Sequence, residues 1–201
     1  ASYGKDNGTL LPALLRKLTS IPGEFKIKLG AMNPGSVLPI LKDLILAYNH
    51  PKIYRYAEIP IQSGSNKILS EMKRNYTAEQ YKNIVAEFRK AYSNINIATD
   101  VIIGFPGESD EDFGKTVALI NDIKPDTTKI YNYSIRPLTK AAAMPNHIPS
   151  WKIKNRADEI KTLALKYADM KNEGWLGWRG DVLITEKDEG APIGRNFAYK
   201  P

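Results

Sequence analysis

The sequence predicts an α/β fold in which parallel strands alternate with helices, giving about four βα units of an incomplete barrel. Three observations carry the prediction. Strand-like segments begin near residues 26, 53, 95 and 128 with a helical pattern between neighbours, the order that parallel sheets and barrels impose. Ile95 to Gly104 ends in a near-continuous apolar run, as a strand buried on both faces requires. Four units fall short of the eight that close a barrel of ~250 residues.

The elements follow in order. Leu11, Leu14, Leu15 and Leu18 share one face of a helix over Leu10 to Leu18. Phe25 to Leu29 alternates and breaks at Gly30, which reads as a strand. Ser36 is positioned to cap a helix whose apolar stripe is Ile40, Leu41, Leu44, Ile45 and Tyr48. Ile53 to Ile61 is the next strand, followed by a short helix near Asn66 to Met72. Thr77 and Gln80 form a capping box for a helix reaching Tyr92. After the strand at 95–104, Ser109 opens a helix through Ile120 with Asp110, Glu111 and Asp112 at its positive end. Thr128 to Ser134 closes the series as a strand. Beyond Pro145 a single helix is predicted over Ser150 to Glu173, then a strand at Asp181 to Glu186 and a turn at Asp188-Glu189-Gly190. The expected domains are 1–145, a linker helix at 146–175, and the truncated opening of a second domain at 176–201, because one hairpin is not independently stable.

Composition narrows the function classes. The chain has 201 residues, 42% of them hydrophobic, enough for a core. No run of 18 apolar residues and no secretory leader is visible, so no membrane span is expected. The chain opens Ala1-Ser2-Tyr3-Gly4 without a Met and is expected to belong to a longer protein. Cys 0 excludes disulfides and thiolate metal sites within it and fits a reducing, cytoplasmic setting. The net charge is +7 and unevenly spread. Residues 124 to 171 carry Lys124, Lys129, Arg136, Lys140, Lys152, Lys154, Arg156, Lys161, Lys166 and Lys171 against Asp126, Asp158, Glu159 and Asp169. This excess is either a polyanion-binding surface, such as one for RNA, or a solvated helix face.

Ligands of parallel α/β folds bind beyond the carboxyl ends of the strands, and the candidate motifs lie there. Gln62-Ser63-Gly64-Ser65 offers a carboxamide and two hydroxyls suited to ribose or a carboxylate, while Ser65 equally suits a helix cap. Asp100 sits in an apolar strand and must be bonded or paired if buried, either to a cationic partner at the site or to backbone donors. Gly104-Phe105-Pro106-Gly107-Glu108 forms a turn whose backbone fits an adenine edge or simply a tight βα connection. Arg136 beside Pro137 suits bidentate carboxylate binding or a surface loop. His50 and His147 lack the spacing of a metal site or triad, and no P-loop, GxGxxG or HExxH occurs.

The segments Leu29-Gly30-Ala31-Met32-Asn33-Pro34, Ile59-Pro60-Ile61-Gln62-Ser63-Gly64-Ser65, Met72-Lys73-Arg74-Asn75-Tyr76-Thr77, Asp100 to Glu108 and Tyr133-Ser134-Ile135-Arg136-Pro137 occur in one order. That ordered set resembles the radical SAM methylthiotransferases across about residues 1 to 145, including Tyr3-Gly4-Lys5-Asp6. The archaeal and eukaryotic branch, acting on threonylcarbamoyladenosine 37 of tRNA, is most similar. Trp178 to Glu186 and Gly194 to Pro201 resemble the start of that family's TRAM domain, a small RNA-binding β-barrel.

The resemblance implies a partial radical SAM barrel and S-adenosylmethionine lying across Asn33, Gln62, Ser63, Asp100, Gly104, Phe105 and Arg136. It implies two 4Fe–4S clusters in the full-length protein, with the CxxxCxxC motif ahead of Ala1 and none bound by this chain, which alone is expected to be inactive. It implies tRNA as partner. A non-catalytic RNA-binding α/β module is the alternative, and exposed strand edges would permit self-association. Three positions depart from the family pattern: Glu58 for a usual His, Lys28 for Arg, and Leu138 for Gly.

Overall fold

The computed structural model describes residues 3–4 and 8–201, so Lys5 and Asp6 of the first matched segment lie outside the described residues. Helix α1 spans Leu11–Thr19, starting from Pro12 near its first position and burying Leu15. The next segment, 25–29, does not form a strand. It makes a single parallel bridge, Ile27 to Ile53, with Ile27 N–H donating to Lys52 O at 2.7 Å and Tyr54 N–H to Ile27 O at 3.0 Å. The helix expected from Ser36 starts earlier and is broken. α2 is Pro34–Val37, a 3-10 turn covers Leu38–Ile40, and α3 is Leu41–Ala47. Prolines at 34 and 39 explain both differences: each fixes φ for a first helical position but cannot donate within a continuous helix.

Strand β1 is Tyr56–Glu58, shorter than the 53–61 run. α4 (Asn66–Glu71) and α5 (Ala78–Ala91) follow, the latter with both halves of the Thr77–Gln80 capping box formed. β2 is Asn96–Ile103 and α6 is Asp110–Ile123, whose first turn closes a second capping box between Ser109 and Asp112. β3 is Thr127–Asn132. The three strands form one parallel sheet in the order β1-β2-β3, with Glu58 opposite Ala98 and Asp100 opposite Lys129.

Period-two alternation gives this sheet two different faces. Ala57, Ile59, Ile97, Val101 and Ile103 are fully buried and face the helical layer with Tyr81, Ile84, Phe88 and Ile120. The opposite face carries Tyr56, Glu58, Ala98, Asp100, Ile102, Lys129 and Tyr131. Helix α7, Ser150–Glu173, packs on β3, β2 and α6 through Arg156, Ile160 and Tyr167. No helix among the described residues is long and apolar enough to cross a membrane.

The hairpin of β4 (Leu183–Asp188) and β5 (Ala191–Arg195) is antiparallel and exposed. Residues 196–200 then return to the amino-terminal end of the sheet. Arg55 N–H donates to Phe197 O at 2.8 Å, Asn96 Nδ2 to Ala198 O at 3.3 Å, and Tyr199 packs edge-on against Tyr54 with centroids 5.0 Å apart. Nothing in the periodicity of the tail signalled this return.

Candidate functional site

The carboxyl ends of the strands and the polar sheet face meet at β1 and β2. Gln62 has φ of 72°, rare for a residue with a Cβ. It is held there from both sides: its N–H donates to Asp100 O at 2.9 Å, and Ile102 N–H donates to its carbonyl at 2.8 Å. The backbone is thus locked at the end of β1, with the half-buried carboxamide on a fixed base.

On the polar face Lys129 Nζ binds Glu58 Oε1 at 2.5 Å, and Tyr56 Oη donates to Glu58 Oε2 at 3.2 Å. Burial pushes the Glu58 carboxyl up, but Lys129, Lys28 and the Tyr56 hydroxyl outweigh it and leave the group below the ordinary glutamate range. Asp100 is different. Burial raises its pKa, the Glu58 charge adds to the rise, and Lys129 only partly opposes it. Its Oδ1 is buried without a hydrogen-bond partner, an acceptor whose desolvation is uncompensated unless a donor arrives. Lys28 lies over the rings of Tyr56 at 4.8 Å and Tyr199 at 4.7 Å. The array of cation, carboxylates and phenol can receive N–H and O–H groups and hold a compensated charge balance.

The other expected site residues divide. Ser63 turns toward α6: its Oγ lies 3.4 Å from Thr116 Oγ1 and accepts from Ser65 N–H at 3.2 Å. Gly64 makes that approach possible, since a Cβ there would meet Lys115 O at 2.4 Å. Ser65 caps α4 and donates to Asp112 Oδ1 at 2.7 Å. Ser63 therefore anchors the loop through its hydroxyl. Gly104, at φ of +82°, donates its N–H to Glu108 Oε2 at 3.0 Å and faces Ile153 of α7. Gly107 N–H is likewise taken by Asn146 O at 3.0 Å, so these two amides of the turn are satisfied internally. Phe105 stacks edge-on against Tyr133, centroids 5.6 Å apart, and Tyr133 in turn stacks on His147. Asn33 is half-buried, its carbonyl accepting from Ser36 and Val37 at the start of α2. Arg136 is exposed on the loop after β3 and makes no ion pair with another described residue.

Sequence reasoning missed Lys129 and Tyr56 as members of the polar face. The signal was present, since Lys129 and Tyr131 alternate outward with Thr128 and Ile130 along β3. It also counted Arg156 in the basic excess read as a polyanion-binding surface or a solvated helix face. Arg156 is 4% exposed and clamps Glu108 Oε2 and Asp110 Oδ1, each at 2.7 Å, tying α7 to the turn after β2.

The family model of the radical SAM superfamily matches residues 2–120, more than half of the chain. The chain belongs to the radical SAM superfamily. Within it, the chain is 44% identical to a probable threonylcarbamoyladenosine tRNA methylthiotransferase of Pyrococcus abyssi over 90% of this chain and 43% of that protein. The corresponding protein of Archaeoglobus fulgidus is 41% identical over 98% of this chain and 46% of its own length. The human threonylcarbamoyladenosine tRNA methylthiotransferase is 38% identical over 92% of this chain and 32% of its own length. The chain thus spans less than half the length of these relatives. In fold it is similar to the radical SAM coproporphyrinogen III oxidase of Escherichia coli, with a TM-score of 0.59, 17% identity, and coverage of 79% of this chain and 38% of that one.

Proposed function

We propose that this chain forms the substrate-facing part of a tRNA methylthiotransferase that adds a methylthio group to C2 of N6-threonylcarbamoyladenosine 37 by radical SAM chemistry. The observation that carries the reading is the polar cluster of Glu58, Lys129 and Asp100 on one face of an apolar parallel sheet, with the Asp100 acceptor left unpaired. The relatives' names support the substrate class.

The donor set fits S-adenosylmethionine. Asp100 and Gln62 would receive its amino and hydroxyl groups, and the exposed guanidinium of Arg136 suits its carboxylate. Asn33, Ser63, Gly104 and Phe105 would shape the rim and hold those groups in place. When bound, S-adenosylmethionine supplies the radical that removes a hydrogen atom from the target carbon. The residues do not fit an iron–sulfur cluster, since the chain has Cys 0 and clusters are held by thiolates. In this reading two 4Fe–4S clusters are bound elsewhere in the full-length protein, and the chain alone performs no methylthio transfer.

The same reading makes residues 1–145 a partial barrel of about four βα units, 146–175 its linker helix and 176–201 the opening of a TRAM domain. It places the enzyme in the cytoplasm with tRNA as partner. The β3 edge, which pairs with β2 and no other described strand, offers a route to self-association. The test is mass spectrometry of tRNA nucleosides from cells with the gene disrupted and restored. The methylthio mark on position 37 is expected to vanish and return, and its persistence after disruption would overturn the proposal.

A further inference from the structure

Between Asp126 and Asp158 the chain carries no Asp or Glu, yet it carries Lys129, Arg136, Lys140, Lys152, Lys154 and Arg156. The structure separates these cations into two sets. Lys129, Lys152 and Arg156 pair with Glu58, Asp110 and Glu108, Arg156 alone of them buried. Arg136, Lys140 and Lys154 make no ion pair with any described residue and are exposed. They lie on the loop after β3 and the first turn of α7, which Ile153 seats directly over Gly104 at the end of β2.

Two large exposed apolar side chains lie on the same two segments as these cations, Leu138 on the loop after β3 and Trp151 at the start of α7. Trp151 is 66% exposed. It points outward because Ile153, two residues on and so on nearly the opposite face of the helix, takes the inward position. Leu138 is fully exposed at φ of 65°, a conformation that costs a residue with a Cβ and that this loop adopts without burying the side chain. The other two indoles, Trp175 and Trp178, pack against Phe197 near the tail. Trp151 alone among the three lies near the strand ends. Trp151 and Lys154, three residues apart, share one face of α7, and an exposed aromatic ring beside an unpaired cation is the combination that binds unpaired bases and their phosphates.

We propose that Leu138, Lys140, Trp151 and Lys154 form a docking surface for a single-stranded RNA segment, with one unpaired base stacked on Trp151. The inference rests on the tRNA reading above and gives it a contact surface beside the strand ends. The cations engage phosphates next to the stacked base, and Leu138 covers the adjoining base face. A duplex fits poorly, because its bases are already stacked on one another and offer no free face to the indole.

The experiment titrates the 201-residue chain with a synthetic RNA stem-loop whose loop is unpaired, and with a blunt duplex of the same stem, following indole emission and affinity over a range of salt. Tighter binding of the stem-loop is expected, with W151A weakening it about tenfold or more and W151F restoring part of the loss. The double variant K140A/K154A is expected to lower the salt slope by about 1.4, from about 0.7 per phosphate contact on a single strand. Trp151 is exposed, so W151A is expected to keep its unfolding midpoint. Unchanged stem-loop affinity in W151A, or equal affinity for the duplex, would overturn the docking surface and leave the tRNA reading standing. Absence of any stem-loop binding by the unaltered chain would likewise overturn the docking surface, whereas the tRNA reading falls only with the nucleoside measurement above.

Discussion

Gly104 is where the site turn and α7 meet, and replacing it by Ala probes both at once. Its φ of +82° strains any residue with a Cβ, at about 1–2 kcal/mol. A Cβ would also lie 2.4 Å from Ile153 Cγ1 and 2.6 Å from its Cδ1, contacts that force repacking at about 1–3 kcal/mol. The expected total for G104A is about 2–5 kcal/mol, a large share of a typical domain stability of about 5–15 kcal/mol. The two contributions separate in a double-mutant cycle. In an I153A background only the backbone part remains, so G104A should then cost about 1–2 kcal/mol, with a coupling of about 1–3 kcal/mol. Urea unfolding of the four proteins measures this, provided that m stays constant. Simple additivity, or a cost for G104A below about 0.5 kcal/mol, would refute the claim that α7 seats against this glycine.

Three further outcomes follow from the charges. R156A leaves the Glu108 carboxylate buried and uncompensated, its side chain 0% exposed, and should cost about 3–5 kcal/mol by the same unfolding measurement, with R156M/E108Q recovering much of the loss. Burial raises the Asp112 pKa, but hydrogen bonds from Ser65, Lys67 and Ser109 carry it well below its ordinary value of 3.8. Its contribution is therefore complete above that value and is lost as pH falls through the folded-state pKa, so the gap between wild type and D112N should narrow below about pH 4. At the polar face, E58Q removes a like charge and should lower the Asp100 pKa, whereas K129M removes an opposing cation and should raise it. Carbon NMR titration of the Asp100 carboxyl reads both signs.

Local signals made most of the elements legible. The Thr77–Gln80 capping box and Ser109 followed by three acidic residues marked two helix starts, and the apolar run into Gly104 marked the central strand. Failures came where tertiary context decides. Phe25 to Leu29 alternates like a strand but makes only the bridge at Ile27, and Pro34 and Pro39 overrode the cap expected at Ser36. At the strand ends, motif position named Gln62, Ser63 and Asp100 alike, but it could not tell that the Ser63 hydroxyl is spent on the α6 side while the Asp100 acceptor stays unpaired. Charge counting could not separate Arg156, locked onto Glu108, from the unpaired Lys154. Such distinctions depend on which face of α7 meets the β2 turn, a long-range fact. The docking of Phe197 to Lys200 beneath the sheet is long-range in the same sense.

The central claim is that function resides on the polar sheet face and the carboxyl ends of its strands. NMR titration of the isotopically labelled chain with S-adenosylmethionine tests it most directly. Shifts centred on Gln62, Asp100, Ile102 and Lys129 are expected. Shifts confined to Trp175, Trp178 and Asn196, which line the cleft at the opposite end of the sheet, would contradict the claim, as would no response at all.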